Sequence, residues 1–175
     1  MFEIRATTEC DIPAIEALYF KVASFEGRLA RTSAEISRDY VTHFVSNAMK
    51  SGISLVAIAS LGGRVIGEIH AYALGPKVFA HVLGELTIAV DPDHQGHGVG
   101  RKLFERLLSE VEHHRPDILR VELIARESNS KAISFYQKLG FHIEGRMTAR
   151  IRGTNHRLEA DIPMAWIRKS LDSPD

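Results

Sequence analysis

The spacing of apolar residues near the N-terminus predicts a strand followed by an amphipathic helix. Residues 2–6 have the composition of a short first strand. Thr8 and Asp11 stand three residues apart, which resembles a helix-capping signal, and the apolar residues after them recur at helical spacing. The residues predicted to form the buried face of this helix are Ile12, Ile15, Leu18, Tyr19 and Val22.

A second helix is predicted after a loop over residues 24–31. Thr32 and Glu35 repeat the capping spacing, and apolar residues again follow at helical intervals. The predicted apolar face comprises Ile36, Tyr40, Val41, Phe44, Val45 and Met49. This pair of helices therefore precedes the first long run of strand-like sequence.

In the next segment the apolar residues change from helical spacing to alternation, which predicts a β-hairpin. Residues 53–61 and 64–74 form two β-rich runs, and Gly62-Gly63 between them is a strong hairpin turn. In the second run, one set of positions is small or apolar and the alternate set is larger and polar. The first set is Val65, Gly67, Ile69 and Ala71, and the second is Glu68, His70 and Tyr72.

The segment from Glu85 to Glu112 joins a strand to a long helix. Residues 86–90 are apolar and rich in β-branched side chains, which predicts a buried strand, and Pro92 ends it. Three glycines follow at alternate positions, and a helix is predicted over residues 98–115. Its helical-period residues are Val99, Leu103, Leu107, Leu108 and Val111.

The remaining pattern completes the sheet. Residues 118–125 form another strand, and two parallel strands on either side of the 98–115 helix make a right-handed βαβ unit. Asn129 is a good cap for a helix over residues 130–139, which Gly140 ends in the left-handed conformation. A hairpin is expected from strands at 141–151 and 156–167 with a turn at 152–155, before a frayed tail at 170–175.

Composition narrows the class of protein. The 175 residues are 45% hydrophobic, enough for a single domain with a real core, and Lys+Arg and Asp+Glu both number 22. This balance favours neither nucleic acid nor an anionic membrane as the main partner, and no apolar run approaches the ~20 residues that a membrane helix needs. The single Cys10 rules out an internal disulfide framework, which leads us to expect a cytoplasmic protein.

A strand, a glycine-rich turn and a helix start together predict an anion-binding site. The first amides of a helix lack internal partners and lie at the positive end of its dipole, and glycines allow a phosphate to approach the backbone. We therefore expect a phosphate or pyrophosphate on the amides of residues 95–101. A P-loop is excluded because Gly100 is not followed by Lys and Ser or Thr, and the G-x-G-x-G spacing does not match a dinucleotide fingerprint.

Two motifs carry a family resemblance. Gln95-x-x-Gly98-x-Gly100 is similar to the pyrophosphate loop of the GNAT superfamily of acetyl-CoA-dependent N-acetyltransferases. The stretch from Asn129 through Tyr136 to Gly140-Phe141 resembles the segment that flanks the coenzyme's pantetheine arm in that family. The resemblance implies a single α/β domain over residues 1–169, with a mixed sheet of about seven strands splayed in the middle and about four flanking helices.

The resemblance also implies a set of coenzyme contacts. Backbone groups of one strand would pair with the pantetheine amides as an added strand does, and the loop amides would hold the pyrophosphate. Asn129 would bond the pantetheine or pyrophosphate arm in addition to its capping role. The residues expected to bind acetyl-CoA are Ile88, Ala89, Val90, Gln95, Gly96, His97, Gly98, Val99, Gly100, Arg101, Asn129 and Tyr136.

Acetyl transfer to an amine needs a proton acceptor and a proton donor. An alkyl amine is mostly protonated at neutral pH, so a carboxylate or a water chain must remove a proton. Glu85, at the start of the central strand, is the candidate base. The alternative is a solvated or ion-paired strand-end glutamate, and Glu122 and His81 are weaker rivals. The resemblance makes Tyr136 the candidate acid for the leaving thiolate, the alternative being an aromatic residue of the core.

The resulting functional hypothesis is direct acetyl transfer from acetyl-CoA to a primary amine of a small molecule such as an amino acid, a polyamine or an amine antimicrobial. One alternative is acetylation of a protein N-terminus or a lysine, and another is a catalytically inactive CoA-binding sensor or interaction module. No metal is expected, because the nine histidines show no spacing suited to zinc. A homodimer is compatible with these patterns.

Overall fold

An eight-stranded mixed sheet with helices on both faces forms the centre of the molecule. The computed structural model describes residues 1–153 and 156–169. In that part of the chain the elements are β1 Phe2–Ala6, α1 Ile12–Ala23, α2 Arg38–Ser51, β2 Gly52–Ala59, β3 Val65–Ala73, β4 Val82–Val90, α3 Val99–His114, β5 Arg120–Arg126, α4 Ser130–Lys138, β6 His142–Ile143, β7 Met147–Arg152 and β8 Leu158–Ile167.

The strand order is β1-β2-β3-β4-β5-β8-β6, with β7 paired to β8. Neighbours in β1 to β4 are antiparallel, β4 and β5 are parallel, and β8 returns antiparallel to β5. The predicted βαβ unit is therefore confirmed as β4-α3-β5. The mixed α/β class and the four α-helices also agree with the sequence.

The sheet is splayed where β4 meets β5. Only Val82 and Leu83 of β4 are in register with β5, opposite Arg120 and Val121. Beyond them β4 remains paired with β3 through Val90 on one side, while its other side diverges from β5. The expected gap in the middle of the sheet is confirmed.

Two hydrophobic clusters cover the two faces of the sheet. On one face, α3 packs Leu103, Phe104 and Leu107 against the strands. On the other, α1 and α2 contribute a second cluster. Its central members include Ile15, Tyr19, Val41, Phe44 and Val45. Strand β3 therefore lies under helices on both sides. Two of the three polar positions of its predicted alternation are as buried as the apolar ones, with Glu68 0% and His70 2% exposed, and Tyr72 is half-buried.

The start of the first helix agrees with its capping signal. Thr8 and Asp11 form a reciprocal capping box around a short 3₁₀ turn, and α1 begins directly after it. All five apolar residues predicted for its inner face are buried. This agreement follows from a strictly local signal.

The predicted start of the second helix was wrong. Thr32 and Glu35 form a capping box around a separate 3₁₀ turn, after which Ile36 is extended and α2 begins only at Arg38. Ser37 caps α2 by accepting a hydrogen bond from the Tyr40 amide at 3.2 Å. The predicted apolar face is also wrong at its end, where Ala48 is buried and Met49 is 52% exposed.

Smaller corrections concern strand limits. β4 begins at Val82, several residues before the predicted strand, because β3 and β5 both pair with its first residues. The predicted strand at 141–151 is divided into β6 and β7. The predicted turn at 152–155 lies partly, and the tail at 170–175 wholly, outside the described residues.

Candidate functional site

The glycine loop leaves the first amides of α3 free. Gly96 and Gly98 have φ of 79° and 81°, a left-handed conformation that glycine adopts without strain. Gly98 precedes α3 with no side-chain cap, and the first helical amide with a backbone acceptor is that of Lys102, to the Gly98 carbonyl at 3.0 Å. Gly100 lies within the helix. The amides from Gly96 to Arg101 therefore have no backbone acceptor in the described chain, as an anion-binding loop requires, whereas the Gln95 amide, which the sequence had included, donates to the Pro92 carbonyl at 3.4 Å.

Asp91 anchors the loop from behind. Its carboxylate, 2% exposed, accepts hydrogen bonds from Lys21 Nζ at 2.6 Å and Arg64 at 3.0 Å, and its Oδ1 accepts one from the Asp93 amide at 3.0 Å. Burial opposes ionisation of Asp91, but the bonds from Lys21 and the Asp93 amide outweigh it and lower the pKa. No pattern in the sequence indicated these partners of Asp91.

A cationic recess lies beside the loop. A cavity of about 310 Å³ opens between the start of α3 and α4, with Arg101, Lys131 and Lys138 among its lining residues. The Arg101 guanidinium stands 5.4 Å from the centre of the Phe135 ring. Lys102, next along the helix, instead lies over Phe2 of β1. Of the two basic residues at the helix start, the structure thus places Arg101 beside the loop.

One edge of β4 is open beyond its pairs with β5. Ile88, Ala89 and Val90 lie beyond the last pair with β5, so no strand pairs with them on that side, and the Val90 carbonyl accepts a hydrogen bond from Gln95 Nε2 at 3.5 Å. Asn129 caps α4 by accepting the Ala132 amide at 3.2 Å, and its amide nitrogen donates to no described residue. Its predicted capping role is confirmed, and the nitrogen remains available for a ligand.

Tyr136 lies among aromatic rings. Its centroid is 5.2 Å from that of Phe104, with Phe135 and Phe141 close by. Burial raises the pKa of its phenol to about 12, because the charged form would lose its hydration. The hydroxyl makes no hydrogen bond to a described residue. A neutral phenol with a free proton suits the role of a proton donor.

Glu85 sits at a β-bulge. Tyr72 pairs with Gly84 and His70 with Thr87, so two residues of β4 stand opposite one of β3. Glu85 itself has φ of 52°, the left-handed region that favours glycine. The bulge places its exposed carboxylate on the face that Thr87 shares, opposite Leu86, Ile88 and Val90.

A cavity of about 680 Å³ lies beside Glu85, on the face of the sheet covered by α2. Residues of the loop before α2, of α2 itself, and of β3 and β4 form its walls. The aromatic and imidazole members are Tyr40, His43, Phe44, His70 and Tyr72, and the charged ones are Arg31, Glu35 and Glu85. The Arg31 guanidinium lies 4.3 Å from the centre of the Tyr40 ring. This is a pocket of small-molecule size.

The other proposed bases are elsewhere. Glu122 accepts a hydrogen bond from Arg120 at 2.6 Å on β5, and the His81 carbonyl accepts the Leu119 amide at 2.9 Å. Neither residue lines the large cavity. Of the three candidates, the structure places only Glu85 at the pocket.

A buried polar cluster under the cavity was missed by sequence reasoning. Glu68 accepts hydrogen bonds from Tyr19 at 2.6 Å and Ser54 at 3.0 Å, and its Oε2 lies 3.1 Å from His70 Nδ1. Burial, with the nearby Glu68 charge, raises the pKa of Tyr19 well above its ordinary value. The signal in the sequence was the presence of Glu68 and His70 in a strand of small and apolar residues. Recognising the cluster from it required the knowledge that helices cover both faces of that strand.

Two further findings concern the described residues alone. They include no cluster of three or more His, Cys, Asp or Glu side chains placed to hold a metal ion. None of their helices has the length and apolar character needed to cross a membrane.

Comparison with known proteins supplies a family. Residues 22–141 match the Acetyltransferase (GNAT) family. The ribosomal protein bS18-alanine N-acetyltransferase of Escherichia coli (strain K12) is 47% identical over 79 residues, covering 43% of the chain. The aligned stretch spans about half the length of that relative, at 49%.

One more relative and one solved structure align over most of the chain. A protein of Mycobacterium tuberculosis (strain ATCC 25618 / H37Rv) named "Probable N-acetyltransferase Rv2775" is 31% identical over 150 residues, which are 82% of this chain and 81% of that one. A phosphinothricin acetyltransferase from Sinorhizobium meliloti, solved in complex with AcCoA, superposes with a TM-score of 0.83, covering 99% of this chain and 93% of that one. At 18% identity, this likeness concerns the fold.

Proposed function

Because the chain belongs to the acetyltransferase (GNAT) family, we propose that it transfers the acetyl group of acetyl-CoA directly to the primary amine of a small molecule. The observation that carries the proposal is the placement of two sites on either side of β4. A loop of free amides and an unpaired strand segment lie towards α3 and α4, and a cavity of about 680 Å³ with Glu85 at its edge lies towards α2.

The coenzyme side uses mainly backbone groups. The free amides of Gly96, His97, Gly98, Val99, Gly100 and Arg101 would hold the pyrophosphate, and the Gln95 amide, which donates to the Pro92 carbonyl, would not. The open edge of residues 88–90 offers amide and carbonyl groups to an extended pantetheine arm. The Asn129 side-chain amide adds one free donor nearby.

The reaction requires two proton movements that the side chains can perform. Glu85 carries a carboxylate at the cavity, where it attracts the acceptor ammonium and takes a proton from it directly or through water. Tyr136, whose pKa is raised to about 12, keeps its proton at neutral pH and gives it to the departing thiolate.

The cavity favours a small acceptor. Its volume lies in the range of small-molecule pockets, and aromatic walls with a few charged groups are typical of such sites. The second candidate is acetylation of a protein N-terminus, which the name of the Escherichia coli relative favours. An inactive CoA-binding module is the third, and it differs from both in having no turnover to measure.

The test combines binding with a substrate panel. Calorimetry should detect acetyl-CoA binding, and acetyl-CoA consumption should be measured over amino acids, polyamines, aminoglycosides and short peptides that begin with alanine. We expect a small amine to give the highest kcat/KM. A peptide that exceeds every small amine would establish the second candidate, and binding without turnover of any amine would establish the third.

Two variants test the assigned roles. Glu85→Gln and Tyr136→Phe keep the size of each side chain but remove the proton acceptor and the proton donor, so kcat should fall by about 100-fold. Because neither change alters the loop amides, the calorimetric affinity for acetyl-CoA should remain that of the parent chain. A variant that keeps the parent kcat would remove its residue from the mechanism.

A further inference from the structure

The carboxylate of Glu68 is buried without a cationic side chain of fixed charge. In the described part of the chain its hydrogen-bond partners are Tyr19, Ser54 and His70, and none is a lysine or an arginine. A buried carboxylate is strongly disfavoured unless it is hydrogen-bonded and its charge is compensated. Of the three partners, only the imidazole of His70 can acquire a positive charge.

The same contact orients the ring of His70. A carboxylate only accepts hydrogen bonds, so Nδ1 of His70, 3.1 Å from Glu68 Oε2, carries the hydrogen of the neutral ring. The lone pair is then on Nε2, the arrangement in which a carboxylate-bound histidine acts as a base. The His70 ring is held in this orientation by stacking on Phe44, with 4.0 Å between centroids and 13° between planes.

Nε2 of His70 is directed to the cavity. The ring lines that cavity although the residue is 2% exposed. No described residue forms a hydrogen bond with Nε2. In the same part of the chain, Nδ1 of His94 is the only fully enclosed polar side-chain atom without a partner, so Nε2 of His70 is not fully enclosed. A basic nitrogen thus opens into the pocket assigned above to the acceptor.

We propose that His70 is a second proton acceptor of the acetyl transfer, besides Glu85, and that Glu68 is its positioning residue. This inference rests on the proposed function and identifies how the floor of the acceptor pocket takes part in it. Glu85 is exposed at the edge of the cavity, and His70 forms its buried floor. Each group can therefore accept a proton from the acceptor nitrogen at a different position of that nitrogen in the cavity.

The protons balance as follows. The acceptor ammonium gives one proton to a base, and the amine forms a bond to the acetyl carbon. The C–S bond then breaks, the thiolate takes the proton of Tyr136, and the nitrogen loses its second proton. Two protons leave the nitrogen: one restores the phenol of Tyr136, which has given its proton to sulfur, and the other is released to solvent. His70 Nε2 accepts one of the two, and the Glu68 carboxylate stabilises the imidazolium that results.

The first test replaces the base with a side chain of similar size. His70→Gln should lower kcat at neutral pH by about 100-fold, with no change in the calorimetric affinity for acetyl-CoA. The matched control is His113→Gln, which changes an exposed histidine at the end of α3 that lies outside the cavity, with its Nδ1 2.9 Å from the Ser109 carbonyl oxygen. The control should keep the parent kcat.

The pH profile separates catalysis from packing. His70→Gln should lose the acid limb of kcat, and its deficit should shrink as pH rises and the free amine deprotonates itself. A packing defect would lower kcat by the same factor at every pH. The fit of the pH profile must include the other charged or titratable groups around the His70 ring. These are Arg31, Glu35, Tyr19, Tyr40, His43, Glu68, Tyr72 and Glu85.

Glu68→Gln tests the positioning residue. The amide keeps the shape of the side chain but removes the negative charge, so the protonated imidazole loses its stabilisation. We expect kcat to fall by about 10-fold and the acid limb to move to lower pH. A fall in kcat with an unmoved limb would show a purely structural role for Glu68.

Nitrogen-15 NMR of the parent chain provides a readout that requires no variant to fold. The neutral ring of His70 must carry its hydrogen on Nδ1, and a ring protonated at Nε2 would overturn the inference. Turnover by the parent chain together with an unchanged pH profile in His70→Gln would also overturn it while leaving the proposed function intact. Acetyl-CoA binding without turnover of any amine would instead refute the proposed function, and this role with it.

Discussion

Two buried carboxylates, Asp91 at the end of β4 and Glu68 on β3, are stabilised in different ways. Asp91 follows β4 and lies behind the glycine loop, where Lys21 and Arg64 supply positive charge. Glu68 lies on β3 under the large cavity, where its donors are two hydroxyl groups and an imidazole. The first carboxylate is bound to permanent cations, and the second is not.

This difference explains how the glycine loop and the large cavity are each supported. A carboxylate paired with Lys and Arg stays ionised and fixes the backbone around it, which is what an anion-binding loop of main-chain amides needs. A carboxylate held by neutral donors leaves its charge to be balanced by a group that can change protonation. Asp91 thus supports a static site made of backbone, and Glu68 supports a site in which a proton moves.

The largest expected effect is on stability. Glu68→Ala leaves the Tyr19 hydroxyl and His70 Nδ1 buried without an acceptor, so it should lower the free energy of unfolding by about 3 kcal/mol. Asp91→Ala releases Lys21 and Arg64, which are exposed enough to be hydrated, and should cost about 1–2 kcal/mol. Urea unfolding of both variants measures the two values. An Asp91→Ala cost equal to or above that of Glu68→Ala would break the comparison.

Removing a single donor of Glu68 should have the next largest effect. Tyr19→Phe deletes a hydrogen bond of 2.6 Å to a buried carboxylate, and should lower the free energy of unfolding by about 2 kcal/mol. Tyr40→Phe changes the neighbouring tyrosine, whose ring meets that of Tyr19 edge-on, and should cost about 0.5 kcal/mol at most. Equal costs would mean that the bond to Glu68 contributes little.

The loop that Asp91 anchors should respond in binding rather than in folding. Gly98→Ala places a Cβ in the open space over the free amides, and we expect acetyl-CoA affinity, measured by calorimetry, to weaken about 10-fold. Gly62→Ala is the matched control, because Gly62 has nearly the same φ, 82° against 81°, and also has open space around it. Both variants should lose about 1 kcal/mol of stability from backbone strain. Only the first should lose affinity.

The smallest expected effect is a pH dependence. Because the pKa of Asp91 is lowered in the folded chain, its stabilising contribution is complete above the ordinary value of 3.8 and is lost as the pH falls through the folded value. The free energy of unfolding should therefore fall more steeply on acidification in the parent chain than in Asp91→Asn. The difference should be about 1 kcal/mol or less, since Lys21 and Arg64 are exposed to solvent screening. Parallel curves of the free energy of unfolding against pH would show that Lys21 and Arg64 do not stabilise the ionised carboxylate of Asp91.

The parts of the fold that the sequence predicted depend on local signals. The α1 cap at Thr8, the glycine turn at Gly62 and the helix after Gly98 are each encoded within a few residues, and each is where the pattern indicated. The predicted start of α2 was wrong because Thr32 and Ser37 are both good caps. Only tertiary packing determines which of the two starts the longer helix.

The two sides of the site differ in the same way. The glycine loop and the α4 cap at Asn129 lie within single stretches of sequence, so their form was predictable. The Glu68 cluster joins α1, β2 and β3 through Tyr19, Ser54 and His70. No periodicity in one segment reveals such a cluster, because the burial of β3 on its second face results from helices encoded earlier in the chain.

The left-handed backbone of Glu85 has a consequence for any attempt to improve this protein. A side chain at φ of 52° costs about 1 kcal/mol that glycine would not, and this is the position from which the carboxylate enters the pocket. Selection for heat resistance alone would favour glycine there and would discard the carboxylate. Thermal robustness and turnover are in that sense opposed at a single residue, and screens that reward one will tend to lose the other.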